Sequence, residues 1–452
     1  MKKATALILA FVFLLPLASC AKNKPVIPSE TDVPNMTSEH GEPTETKKPD
    51  TSEEIAPPEP LPTDIDFSYT YDPNTDCYAS GTSSCINLAE TEDAYYWKND
   101  NGGYIFYSDK VSGEFGALCG KPDCIHEKDK NNAECNALVG YGPRSWIYIY
   151  DGMLYFMMPA KAPDGRVLDT LCREELDGSN RKQLFSIDSY EHAFQSFYIH
   201  RGKAFFTAAT DFVEGGLPKK RLEFFCSDLD GKGFHSVFEE TLDGELGINY
   251  SVGFFGDYAF FFVSSYEVSF AMDSNSDTAL YAYDLKNDKV YLVASQEDCE
   301  ISIYSVYVDT NGAIYVAPSG NNRYAQASIY KLVDGEFIKQ YEFEGENYFG
   351  PMGFTRIWDG LAFVLTADWD IEGADTIWIK DMDGNTVYNG PLTRHFIEGR
   401  KNVVVGVKDL MIHGNAIFIA YENWLEDDPD YSILVRYEIT ENGLVETTLA
   451  EY

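Results

Sequence analysis

Several things are scarce in this chain, and each scarcity excludes something. Basic residues are few: 35 Lys and Arg stand against 73 Asp and Glu, a formal charge of −38. A surface of that sign repels phosphate backbones and anionic headgroups, which argues against nucleic acid and against polybasic membrane contact. Long apolar runs are missing except at the start, and that one, Ala6 to Leu17, is too short to span a bilayer as a stable helix. Catalytic signatures are missing too. There is no G-x-S-x-G elbow, no P-loop, no H-E-x-x-H and no dinucleotide fingerprint. Glycosidases work with paired carboxylates, but acidic residues are too abundant here for any pairing to be informative.

Aromatic residues are plentiful: 31 Tyr and 29 Phe help to make 15% of the chain aromatic. Rings suit pleated, half-buried surfaces, so the composition favours an all-β fold. The stretch from Trp146 to Phe185 shows how they are used. It reads as strand, Asp-Gly turn, strand, polar loop, strand, Asp-Gly turn, strand. The same sentence recurs through seven copies. Their first turns fall at Glu92-Asp93, Asp151-Gly152, Arg201-Gly202, Gly256-Asp257, Asn311-Gly312, Asp359-Gly360 and His413-Gly414. Gly, Asn and Asp tolerate the positive φ that tight hairpins need. Four strands in each of seven units, with a period of roughly 50 residues, predict a seven-bladed β-propeller.

Those turns and strands resemble TolB-type and WD-repeat-like propellers, and most closely propeller lipoproteins of Gram-positive anaerobes. The resemblance is architectural; the G-H and W-D marks of WD repeats are absent. It implies a closed ring of four-stranded blades. The alternating Phe67 to Tyr71 is expected to add a strand to the ring closure.

The N-terminus reads as an address. Lys2 and Lys3 precede the apolar run, which ends in Leu17-Ala18-Ser19-Cys20. This resembles the lipobox of bacterial lipoproteins. The resemblance implies cleavage of residues 1–19 and a diacylglyceryl thioether on Cys20, whose acyl chains (palmitate-like) hold the protein at the extracytoplasmic face of the cell membrane. Residues 20–63 carry nine of the 20 prolines and no aromatic ring. They are expected to be a disordered tether, with the propeller occupying 64–452.

In an up-and-down blade the tight turns lie at one end of the ring, and the second-to-third-strand loops and interblade links at the other. The long loops expected at that second end run Met157–Asp169, Ala208–Lys220, Ser264–Asp277, Ala317–Ala327, Thr366–Asp375 and Tyr421–Tyr431. Loops on a rigid scaffold are where binding residues usually sit. Tyr266, Asn321, Arg323, Tyr324, Trp369 and Trp424 are the candidates there, since a ring beside an amide or carboxylate suits a sugar or a peptide side chain. The expectation is a glycan, peptide or envelope-protein partner bound without catalysis. A glycan hydrolase or lyase and an envelope scaffold are the alternatives.

Nine cysteines occur. Cys119, Cys124, His126 and Cys135 form the densest cluster, on the link between the first two units. Three thiols and an imidazole suffice for a structural zinc site, although a C-x2-C pair is missing. Disulfides, with Cys77 and Cys85 as further partners, are the favoured reading in an exported chain. Asp368 and Asp370 open a loop that distantly resembles a calcium binder but lacks the closing glutamate.

Overall fold

In a computed structural model, the described residues are 59–61, 69–77, 88–99, 103–124, 126, 135–140, 146–188, 194–267, 276–299, 303–318, 328–342, 353–366, 376–393, 395, 405–423 and 432–451. Their strands form seven sheets, each built on four consecutive antiparallel strands, and one of them carries a fifth strand. Blade 1 spans 88–117, blade 2 147–188, blade 3 194–243, blade 4 246–299, blade 5 303–342, blade 6 353–391 and blade 7 405–451. The fold is the seven-bladed β-propeller that the repeats predict.

The turn chemistry explains the regularity. Asp151, Arg201, Asp334 and Asp359 all have φ near +50°, each followed by a positive-φ glycine. These are mirror-image turns that match the twist of the flanking strands. Blade 3 departs from the expected loop pattern. Ala208–Lys220 is not a loop: the second strand runs to Glu214 and the third starts at Leu217. Gly215 and Gly216, at φ +59° and +85°, supply a two-residue turn. Polar residues on an exposed hairpin resemble loop sequence, yet the alternation in Asp211-Phe212-Val213-Glu214 suits a strand. Blade 2 makes the same correction, with its loop narrowed to residues 162–166.

Apolar faces pack between blades. Phe205, Phe224 and Phe254 join blades 3 and 4, with Phe205 and Phe254 5.2 Å apart. The ring closes without a shared strand, because blade 7 supplies all four of its own. Leu88, Tyr95 and Trp97 of blade 1 pack against Met411, Phe418 and Leu434 of blade 7. The Leu88 N–H also donates to the Met411 sulfur at 3.1 Å.

The segment expected to add a closing strand does something else. Phe67 and Ser68 lie outside the described residues. Tyr69 and Tyr71 lie on the tight-turn end, packed on Phe255 of blade 4 and Trp358 of blade 6. The strand that is added comes earlier, where Glu59–Pro60 pairs in parallel with the outer strand of blade 4. The chain thus meets the ring before residue 64.

Candidate metal centre

The outer strand of blade 1 is short and interrupted. Phe115–Ala117 pairs with residues 106–108 of the strand Tyr104–Asp109. The Leu118 N–H extends that pairing to the Ile105 carbonyl at 2.8 Å. The chain then departs, and a later piece covers the rest of the same edge. The Ile105 N–H donates to Ala137 O and the Val139 N–H to Gly103 O, both at 2.8 Å. Cys119 follows the first piece and Cys135 precedes the second. Because both pieces line one strand edge, the ends of the excursion must lie together.

A turn closed by the Cys124 N–H on Lys121 O, at 3.3 Å, folds Cys124 back toward Cys119. His126 follows two residues later. One ligand atom from each of Cys119, Cys124, His126 and Cys135 lies within 4.8 Å of the others. Cys135 is buried, Cys119 and Cys124 are half-buried and His126 is exposed. Tyr104, Ala137, Phe106 and Leu138 form an apolar wall behind them.

The electrostatics fit a soft cation. Burial pushes the Cys119 thiol up, but N–H groups of Lys121 and Asn136, with His126 and Cys124, bring it down to about 6. Burial dominates at Cys135 and takes it up to about 12, and burial raises Cys124 as well. One thiolate is therefore favoured and further ones are resisted until a cation neutralises them. A tetrahedron with zinc–sulfur bonds near 2.3 Å sets sulfurs roughly 3.8 Å apart, inside the observed spread. The S₃N donor set suits zinc and not calcium, which takes oxygen ligands. Among the described residues Cys77, Cys119, Cys124, Cys135, Cys172 and Cys226 are all free thiols. The geometry therefore departs from the disulfide reading and brings together a candidate structural metal site.

Blade 2 holds this excursion in place. The Asn136 side-chain amide donates to Gly178 O at 2.7 Å, and the Arg181 guanidinium to Leu138 O at 3.2 Å. Gly178, at φ +76°, is needed twice over. A Cβ there would stand 2.7 Å from Leu118 O and 2.8 Å from Cys119 N. Arg181 Nε also reaches Glu174 at 2.9 Å, in a pair with 8% and 0% of the side chains exposed. The guanidinium lies 4.8 Å from the Phe156 ring. Burial raises the Glu174 carboxyl to about 7, against the lowering effect of Arg181. Neither residue was legible as a site residue. The available signal was a glutamate in phase with the buried Thr170 and Cys172 along one strand.

Among the other candidates, Tyr266 is half-buried at the long-loop end of blade 4 and paired with Gly247 and Ser276. Its ring covers Gly247, where a Cβ would stand 2.4 Å from ring atoms. It therefore packs across a strand and is not a free platform. Asn321, Arg323, Tyr324, Trp369 and Trp424 lie outside the described residues, as do Cys20, Asp368 and Asp370. A carboxyl that sequence reasoning missed is Glu240, on the outer strand of blade 3. It is half-buried, its Oε2 has no hydrogen-bond partner, and burial raises its pKa.

No family model and no curated protein matches this chain. Solved structures do resemble it. Puromycin hydrolase is 14% identical with a TM-score of 0.46, over 87% of this chain and 56% of the hydrolase. This chain thus spans little more than half of that protein's length. The β-propeller domain of the trilobed protease from Pyrococcus furiosus is 11% identical with a TM-score of 0.44, over 82% of this chain and 99% of that domain. An apocarotenoid oxygenase from Synechocystis is 11% identical with a TM-score of 0.40, over 68% and 71%. At these identities the likeness is one of fold. The expectation of a propeller without catalysis is corrected at this point, since these distant neighbours include enzymes.

Proposed function

We propose that this chain is a zinc-stapled propeller, held by a lipid on Cys20 at the extracytoplasmic face, that takes a glycan or peptide ligand on its long-loop end. The observation that carries the reading is an asymmetry between the two ends. The described tight turns gather at one end, where the chain's own residues 69–77 already lie. At the other end blades 3 and 4 rise as a wall of extended strands. Gly215 and Gly216 turn its tip, and Val213 and Leu217 are exposed beside them. Apolar residues at a projecting tip suit contact with a ligand.

Two tests separate the parts of this reading. For the anchor, Cys20→Ala is expected to move the protein from the membrane fraction to the soluble fraction; unchanged membrane association would remove the lipid from the account. For the ligand, the soluble chain from Ala21 is screened on glycan and peptide arrays. Saturable binding is expected, weakened about tenfold or more by Trp369→Ala, by Trp424→Ala or by a Val213→Ser/Leu217→Ser pair, in line with the loss of a central aromatic or aliphatic contact. Binding indifferent to all three changes would displace the site from this end.

A second reading, processing of that ligand by acid–base chemistry, is favoured by Glu240. A carboxyl whose proton affinity is raised by burial has the direction of shift that a general acid needs. Product release from array hits that stops in Glu240→Gln while binding persists would support it. Unchanged turnover would remove Glu240 from the role.

A further inference from the structure

The tight-turn end of the ring is covered by Tyr69–Cys77, and the contacts form a latch. The Tyr69 hydroxyl donates to Asp257 Oδ2 at 2.6 Å, and its ring sits over Gly256. Tyr71 packs edge-on against Trp358 at 5.1 Å. The Arg201 N–H donates to Thr75 O at 2.7 Å. The Arg201 guanidinium bridges Asp76 at 2.6 Å and Asp257 at 2.9 Å. The segment therefore touches the first-strand ends of blades 3, 4 and 6. A small cavity beneath it is also lined by Val308 and Asp309 of blade 5.

His200 is the hinge of this latch. It is fully buried, with its ring 4.8 Å from Phe254. The Cys77 N–H donates to His200 Nδ1 at 2.9 Å, so that nitrogen carries no proton. The other nitrogen, Nε2, donates to Gly256 O at 2.7 Å. A proton added to Nδ1 would face the Cys77 N–H and break the contact that ends the cap. We propose that Tyr69–Cys77 is an acid-released cap, sealing the tight-turn end of the ring while His200 is neutral.

The groups around the ring do not all agree. From the cap, the Asp76 carboxylate lies 4.0 Å from Nδ1 and favours the imidazolium. Asp257 of blade 4 favours it too, while Arg201 of blade 3 opposes it. Lys286 pairs with Asp257 and so weakens that pull. Tyr69 faces Asp257, and burial keeps the Cys77 thiol neutral. Burial of the ring is the largest influence and takes His200 down from 6.5 to about 4. The sign follows. A free imidazole binds a proton near pH 6.5 and the buried one under the cap only near 4, and releasing the cap moves the ring toward the free case. The capped state thus loses stability as pH falls across that window.

The test is hydrogen exchange read by mass spectrometry on the full chain, corrected for the pH dependence of intrinsic exchange. Peptides covering 69–77 and 194–205 are expected to lose about tenfold or more of their protection between pH 6.5 and 4. The blade 6 strand Leu361–Thr366 is expected to keep its own. Arg201→Ala should release the cap at pH 7. His200→Gln keeps an acceptor for Cys77 and a donor for Gly256 but cannot titrate, so its cap should stay protected at pH 4. Equal loss of protection in His200→Gln and the parent chain would overturn the proposal, as would a cap that is unprotected at pH 7. If His200→Gln fails to fold, the parent chain decides: a loss that is the same in cap and blade peptides overturns it.

Discussion

Stripping the metal from Cys119, Cys124, His126 and Cys135 is expected to lower the stability of blade 1 by about 4 kcal/mol, when free zinc had stood about 1,000-fold above its dissociation constant. The size follows from where the site sits. Among the described residues blade 1 has the shortest first and last strands of the ring, Leu88–Glu90 and Phe115–Ala117, of three residues each. Its outer edge is completed only by the return of the chain at Ala137–Val139. A metal across the base of the excursion holds departure and return together, so binding energy becomes folding energy. Chelator should therefore lower the thermal midpoint and raise hydrogen exchange first in blade 1 and its seam with blade 7. Cys135→Ser should reproduce the effect without chelator. Cobalt substituted for zinc should give the intense thiolate-to-metal absorption of a tetrahedral S₃N site. Substoichiometric metal in the purified protein, together with melting indifferent to chelator, would contradict the assignment.

Arg181→Ala is expected to cost about 3–5 kcal/mol above pH 7, where it leaves the Glu174 carboxylate buried and unpaired. Protonation is the one relief open to the charge, and burial already raises this carboxyl to about 7. Glu174 is fully buried, and its Oε1 already lacks a hydrogen-bond partner. The same substitution removes the donor to Leu138 O, three residues from Cys135, so zinc affinity should fall with stability. Removing both charges, in Arg181→Met/Glu174→Leu, should recover most of the loss, since an apolar pair of similar volume tolerates burial better than a lone charge. Chemical denaturation of the two variants beside the parent measures this. Equal losses in the single and double variants would mean that packing, not charge, holds the site. The pH dependence gives an independent check. Glu174 titrates near 7 when folded against 4.5 when free, so its contribution is full below pH 4.5 and is lost as pH rises through 7. Glu174→Gln should flatten stability across that window.

The repeat was legible because its cause is local. A short turn step between apolar alternations, Asp-Gly or Asn-Gly in three of the seven units, fixes a hairpin largely by φ preference, and seven such hairpins mark the ring. The metal ligands were legible as residue types, since few other side chains bind soft cations. Their competition with disulfides was not, because spacing does not say which sulfurs converge. The loop at Ala208–Lys220 was misread for a related reason: a solvent-exposed hairpin carries polar residues on its face, as a loop does.

The sequence by itself pointed to a ring of seven four-stranded units and offered the donor set of the metal site. Each depends on backbone preference or side-chain chemistry over a few residues. Only the tertiary structure decided that Cys119 and Cys135 stand at the two ends of one interrupted strand. It alone placed Arg181 and Glu174 beneath that site, and laid Tyr69–Cys77 across the tight turns onto His200. Those arrangements join residues far apart in the chain, by 188 positions in the pairing of Tyr69 with Asp257. At such separations proximity is set by the closure of the ring, and no local preference encodes it.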